Sequence, residues 1–349
     1  MSQFVKCLLF ADLKNNLLAK LDSKQATGMN PEEIVGPVEG TKVPRFAGES
    51  TFARLPRIDQ VSDYDVAILG APFDGGVSYR PGARFGPMAI RQASRHLRPA
   101  YHPDLQVAPF RTIQAVDAGD IPCNPFDIDS ALKQIDDGAT ELVSDSRKLV
   151  TLGGDHTVTL GLLRALVKVH GPIAMIHFDS HLDTWDSYFG ADRTHGTFMR
   201  RAFEEGLLIE DKSLHIGIRG PLYDQQDLVN DKKFGFSTVR ASDFDRMGVE
   251  EVIGLARKRV GDNPMYLSID IDVLDPAFAP GTGTPEMGGF TSRELLNLVR
   301  GMPREQMIGA DIVEVAPAYD HAEITSLAAA TLAYEIMSLM ALNVTDKKD

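Results

Sequence analysis

The sequence predicts an α/β fold: a mostly parallel sheet covered by helices on both faces. Three observations predict it. Eight short apolar runs read as buried strands, and helical apolar patterns lie between several of them. Clusters of Asp and His close three of those runs, where open sheets of this class place their ligands.

At the start of the chain, Leu9, Leu13, Leu17 and Leu21 recur every four positions, which predicts an amphipathic helix over residues 3–22. TGMNPEEIVGPVEGTKVP follows, rich in Gly and Pro, and reads as an arm or linker. The expected division is therefore an N-terminal helix and arm, 1–43, and a catalytic domain, 44–345. Strands are expected at 65–72, 112–119, 148–154, 173–179, 213–219, 236–240, 265–272 and 307–315. Helices are expected at 130–146, 157–169, 249–260, 291–301 and 323–342.

The 349 residues suffice for one large domain or two ordinary ones. No low-complexity tract or fixed-period repeat interrupts them, and no apolar run is expected to reach the length of a membrane span. The N-terminus lacks a cleavage site and any Arg before Arg45, so a cytoplasmic location is expected. Cys7 and Cys123 match no metal or redox spacing and read as free thiols. The net charge of −13, from 36 basic and 49 acidic residues, disfavours nucleic acid and anionic membranes as partners and suits a small cation.

IHFDSHLDTWD (176–186) puts Asp179, His181, Asp183 and Asp186 behind an apolar run, and buried charges of this density call for a cation. In an extended segment Asp179, His181 and Asp183 share a face. His177 lies deeper and reads as a hydrogen-bonded core histidine. LSIDIDVLDP (267–276) places Asp270 and Asp272 on one face of a strand, where they repel each other unless a cation or a distant Arg or Lys intervenes. Asp275, before Pro276, reads as a turn residue. In LGGDHT (152–157) the two glycines permit a tight strand-to-helix turn, Asp155 suits a capping role, and His156 is left at the sheet end.

Four carboxylates and two imidazoles exceed the needs of one catalytic ion that keeps an open position. Two ions sharing bridging carboxylates fit better. An oxygen-rich, cysteine-free set suits Mn²⁺ over Zn²⁺, with Ni²⁺, Co²⁺ and Fe²⁺ not separated by ligand type. His195, in the polar loop THGT, suits proton transfer near neutral pH. Glu314 closes the strand IGADIVEV and suits either a cationic substrate or a structural Arg.

With these residues assembled, the chain resembles the ureohydrolase family of arginases and agmatinases. GGDHT, FDSHLD, SIDIDVLDPAFAPGTGTPE and DIVEVAPAYD correspond to its signature segments in order, over roughly residues 43–342. SYRPGARFGP (78–87) and the segment from VEVAPAYD onward are closer to agmatinases. The resemblance implies a three-layer α/β/α sandwich around an eight-stranded sheet, assembled as a homotrimer or homohexamer, with a paralogous subunit as a further option. It implies that His156, Asp179, Asp183 and Asp270 hold one ion, and that Asp179, His181, Asp270 and Asp272 hold the other. His195 matches the proton-shuttling histidine and Glu314 the carboxylate facing the guanidinium, while Asp183 also aligns the attacking water.

The implied reaction is hydrolysis of a guanidino C–N bond to urea and an amine. Agmatine is the first candidate, and guanidinobutyrate, guanidinopropionate, guanidine or a biguanide the rivals, the last two with nickel. Trp185, Tyr188 and Arg80 are candidates for binding the substrate tail. Three departures stand out: DSH in place of DAH, Gly161 in place of a common proline, and Phe198-Met199 after THGT. Ser180 and the 198–199 pair are expected near the substrate pocket. A non-catalytic partner subunit and a single-zinc deacetylase are disfavoured, because the full ligand set is present.

Overall fold

A computed structural model describes residues 34–345. The helix expected at 3–22 lies outside the described residues, as does the start of the arm. The eight expected strands all form: β1 (Val66–Ala71), β2 (Ala115–Asp120), β3 (Lys148–Gly153), β4 (Ala174–Phe178), β5 (Leu214–Ile218), β6 (Ser237–Arg240), β7 (Met265–Asp270) and β8 (Met307–Val313). They make one sheet in the order β2-β1-β3-β8-β7-β4-β5-β6, and every pairing is parallel.

Helices cover both faces, giving three layers. Those of seven or more residues are α1 (Gly86–Ser94), α2 (Ile128–Thr140), α3 (Val158–His170), α4 (Phe198–Glu204), α5 (Gln226–Lys233), α6 (Ala241–Val260), α7 (Ser292–Gly301) and α8 (Ile324–Thr345). Strand residues divide by parity: Val66 and Ile68 of β1 join α1, α6, α7 and α8 in one core, while Ala67 and Leu69 join α2, α3 and α4 in the other. This two-sided burial is why the strands read as continuous apolar runs.

Several boundaries differ from expectation for local reasons. α2 starts at Ile128 because Asp127 caps it, accepting the N–H groups of Asp129 at 3.0 Å and Ser130 at 3.1 Å, and it stops at Thr140, short of the expected 146. α6 reaches back to Ala241, with a break at Gly248, whose φ of 73° no other residue type adopts cheaply. Gly161 has a packing reason: a Cβ there would lie 2.8 Å from Ile135 Cγ2 and 2.9 Å from the Leu132 carbonyl, so the glycine lets α3 press onto α2.

α8 corrects the expectation about apolar length. Its 22 residues, with mean hydropathy 1.5 over the best window, are long and apolar enough to cross a membrane by length and composition. Apolar residues surround its whole circumference because it lies inside the molecule, with 72% of that window buried. Its one carboxylate, Glu335, is paired with Arg300 at 2.7 Å and His102 at 3.0 Å.

Candidate active site

Strand ends position the site. β3, β4, β7 and β8 are adjacent in the middle of the sheet, and their carboxyl ends deliver His156, Asp179, Asp270 and Glu314 to one place. The turn after β3 is tight: a Cβ on Gly154 would lie 1.7 Å from the Phe73 carbonyl oxygen. His156 Nδ1 faces three carboxylates, lying 3.1 Å from Asp179 Oδ2 and 3.3 Å from both Asp183 Oδ2 and Asp270 Oδ2. His181 Nδ1 lies 3.3 Å from Asp179 Oδ1 and 3.2 Å from Asp272 Oδ2. Asp179 thus turns one oxygen to each histidine, and Asp183 and Asp270 share His156 with it.

The six expected residues come together, but not by alternating along a strand. β4 ends at Phe178, so Asp179, His181 and Asp183 do not alternate along a strand, and Asp183 adopts φ 57°. β7 ends at Asp270, and Asp272 sits in the 3₁₀ turn Ile271–Val273, its N–H donating to Asp270 Oδ1 at 2.8 Å. Glu314 likewise has φ 63°. Such conformations in non-glycine residues cost about 1–3 kcal/mol each and persist where the surroundings hold them. The ion-pair partners of Asp270 and Asp272 are histidines, in place of a distant Arg or Lys.

Burial and the charges of Asp272 and Asp179 hold the Asp270 carboxyl well above its ordinary range. Burial and Asp179 push Asp183 up to about 6. Burial opposes protonation of His156 and His181, yet the carboxylates around them raise both well above the usual imidazole value. For Asp179 burial is outweighed by His177, His156 and His181, which hold it well below the usual range.

The hydrogen bonds behind His156 fix its orientation. Ser268 Oγ–H donates to Asp311 Oδ1 at 2.6 Å, so the same oxygen accepts Nε2–H of His156 at 2.8 Å. That leaves Nδ1 facing the carboxylates, and among the described residues neither His156 Nδ1 nor Asp179 Oδ2, both buried, has a partner in hydrogen-bond geometry. Ligand atoms of His156, His177, Asp179 and Asp183 lie within 4.8 Å of one another, as do those of Asp179, His181 and Asp272. A donor set of this chemistry fits divalent cations, and the two groups sharing Asp179 are compatible with a binuclear centre.

His177 is buried, as expected, with Nδ1 2.7 Å from His215 Nδ1 and Nε2 2.9 Å from Asp179 Oδ2. Asp155 accepts the N–H groups of Thr157 at 2.9 Å and Gly76 at 2.7 Å, and Asp275 those of Ala277, Gly288 and Gly289. Ser180 is fully buried and donates Oγ–H to Asp272 Oδ1 at 2.8 Å. Phe198 stacks on His156 with ring centroids 4.3 Å apart, and Met199 is buried.

His195 and Glu314 form a second unit beside the cluster. Glu314 Oε1 accepts Nδ1–H of His195 at 3.0 Å and the backbone N–H of His156 at 2.9 Å. Its Oε2 is buried without a partner among the described residues, and Gly283 leaves room, since a Cβ there would sit 3.2 Å from that oxygen. Burial lowers the His195 imidazole, but Glu314, with Asp183 and Asp155, raises it to about 9. Among the tail candidates, Trp185 stacks on Tyr188 at 5.3 Å and packs over Gly196, while the Arg80 guanidinium lies 5.1 Å from the Tyr319 ring.

Sequence reasoning did not find Ser268, Asp311, Arg219 or the contact of Ser78 with His195. Arg219 donates to the carbonyls of Asp272 at 2.6 Å and Glu286 at 2.9 Å, pinning the turn after β7. A polar residue inside an apolar strand was the available signal for Ser268 and Asp311.

Comparison with known proteins agrees with this geometry. The Arginase family model matches residues 64–339. Guanidinopropionase of Pseudomonas aeruginosa is 42% identical over 306 residues, covering 87% of this chain and 96% of its own. Agmatinase of Salmonella dublin is 43% identical over 293 residues, covering 83% and 92%. The solved structure of proclavaminate amidino hydrolase from Streptomyces clavuligerus superposes with a TM-score of 0.81 at 42% identity, over 86% of this chain and 99% of that one. A family model spanning most of the chain, relatives this similar and a shared architecture make one conclusion: the chain belongs to the arginase family of ureohydrolases.

Proposed function

We propose that the chain hydrolyses the C–N bond of an alkylguanidinium to urea and an amine, with agmatine as the first substrate and putrescine as its product. The observation that carries this reading is Glu314 Oε2, a buried carboxylate oxygen with no partner among the described residues, beside a histidine raised to about 9. A guanidinium offers the planar charged donors that such an oxygen lacks.

Two divalent ions, Mn²⁺ in the first instance and Ni²⁺ as the alternative, supply the Lewis acidity that makes water nucleophilic near neutral pH. His156, Asp179, Asp183 and Asp270 would hold one, and Asp179, His181, Asp270 and Asp272 the other. Glu314 orients the substrate carbon toward the cluster, a contribution of several kcal/mol through positioning. Asp183 accepts a hydrogen bond from the attacking water, and His195 delivers a proton to the departing amine. The working unit is residues 44–345, taken as a homotrimer or homohexamer in the cytoplasm.

A second reading has its own observation. The Arg80 guanidinium stands over Tyr79 and Tyr319, and the Arg80 carbonyl borders Gly283 beside Glu314. A cation on the loop that borders this oxygen favours a guanidino acid, such as guanidinobutyrate or guanidinopropionate, over a substrate with an ammonium tail.

The deciding experiment is urea release by purified protein loaded with Mn²⁺ or Ni²⁺, on agmatine, arginine, guanidinobutyrate, guanidinopropionate, guanidine and dimethylbiguanide. Turnover of agmatine supports the first reading. Turnover of a guanidino acid with agmatine inert supports the second, and silence across the panel with metal bound defeats both.

A further inference from the structure

Ser180 is the residue that makes this chain read DSH in place of DAH, and its hydroxyl has a defined contact. One carboxylate oxygen, Asp272 Oδ1, accepts both the Ser180 backbone N–H at 3.2 Å and its Oγ–H at 2.8 Å. The other oxygen, Oδ2, lies 3.2 Å from His181 Nδ1 and 3.4 Å from Thr284 Oγ1. The two oxygens of Asp272 are therefore divided: Oδ1 is held from the turn after β4, and Oδ2 is presented beside His181. Ser180 Oγ also lies 3.2 Å from His181 Nδ1. A hydroxyl has one proton, and the shorter contact to an acceptor-only carboxylate takes it, so Ser180 puts no donor on the ring nitrogen.

The main chain on both sides of this contact is fixed. Arg219 donates its backbone N–H to the Ser180 carbonyl at 3.0 Å and its guanidinium to the Asp272 carbonyl at 2.6 Å, so one residue ties the two turns together. The Asp272 N–H is anchored on Asp270 Oδ1 at 2.8 Å. What the backbone leaves open is the rotation of the Asp272 carboxylate about its last side-chain bond, a broad torsion. With alanine at 180, the N–H at 3.2 Å would be the one remaining hold on Oδ1 among the described residues. The hydroxyl adds a shorter, charge-assisted bond that sets this torsion.

We infer that Ser180 is a positioning residue for the ion beside His181, its hydroxyl holding Asp272 Oδ1 so that the carboxylate offers that ion Oδ2 alone. This rests on the two-ion reading above. The carboxylate is ordered before the ion arrives, which strengthens binding without adding a ligand. Binding through one oxygen also leaves the ion a position that a chelating carboxylate would fill, and a catalytic ion needs an open position. The effect is confined to one ion. Among the described residues the hydroxyl touches Asp272 and His181, and both belong to the second ligand set only.

The test is Mn²⁺ titration of the metal-free wild type and Ser180→Ala against a competing chelator, with the Mn²⁺ EPR spectrum as a second readout. Ser180→Ala removes one oxygen and installs the residue of the DAH form, so the fold is kept. The wild type is expected to bind two ions per chain. Ser180→Ala is expected to hold the first as tightly and the second about tenfold more weakly. At intermediate Mn²⁺ the variant then shows the spectrum of an isolated ion where the wild type shows a coupled pair. In an Asp272→Asn background, Ser180→Ala is expected to leave the remaining ion unchanged. A second ion held as tightly or more tightly in Ser180→Ala overturns the role, as does equal weakening of both ions, the mark of a loosened site. A wild type that binds fewer than two ions overturns the two-ion reading and this role together. Urea release is not among the readouts, so a wild type that binds two ions but is silent on every guanidino compound defeats the hydrolase reading alone.

Discussion

Glu314 accepts the backbone N–H of His156 at 2.9 Å, so the residue that ends β8 is tied to the turn that follows β3. The same oxygen accepts from His195, and the other oxygen has no partner among the described residues. One carboxylate therefore sets the distance between the histidine cluster and whatever cation binds beside it.

Glu314→Gln keeps the shape and removes the charge. The expected outcome is a loss of about a hundredfold or more in kcat/KM, matching the roughly 3 kcal/mol of a charged hydrogen bond in a dry site. Bound metal, measured by elemental analysis, stays at the wild-type level.

The same variant reports on His195. In the metal-free wild type its imidazole titrates near 9 because Glu314 more than offsets burial. Removing that charge lowers the value, read by histidine NMR. The folded value lies above the unfolded one, so the pair's stabilisation is complete below about 6.5 and is lost as pH rises through about 9. A His195 that titrates unchanged in Glu314→Gln contradicts the pairing.

Ser268→Ala leaves every metal-facing atom in place but frees His156 to turn or change tautomer. Metal affinity is expected to fall about 10–100-fold, measured by competition with a chelator. Asp179→Asn, which changes the residue facing both histidines, is expected to lose both ions, whereas Asp272→Asn retains one.

Gly161→Ala tests the packing of α3 on α2. The added methyl meets Ile135 and the Leu132 carbonyl at 2.8–2.9 Å, a crowding worth about 1–3 kcal/mol. The Tm is expected to fall by several degrees with kcat unchanged.

The eight strands were legible because burial on both faces makes each a short apolar run between turn residues, and β4 shows this in AMIHF. The six cluster residues were legible because carboxylates beside imidazoles at strand ends have no cheaper explanation. α1, α4 and α5 were missed. They are short, and Phe198–Glu204 has two arginines and only a few apolar positions from which to read a period. Local geometry was also hidden: the left-handed backbone of Asp183 and Glu314 is imposed by tertiary contacts, and neither residue type advertises it. Ser78 sits in a loop 117 positions from His195, so only the fold brings them within 2.7 Å.

The position of β8 in the sheet also governs when the site comes into being. β8 lies between β3 and β7, so it alone joins β2-β1-β3 to β7-β4-β5-β6. On the ribosome the first group emerges with His156 and the second with Asp179, His181 and Asp270, each carrying an unpaired edge. Nothing in the sheet's pairing unites them until residues 307–313 emerge. The strand that closes the sheet leads directly into Glu314, so the carboxylate proposed to receive the substrate is among the last parts delivered. A chain cut short before it would have two half-sheets and most of a cluster, but no closed site in which to do chemistry.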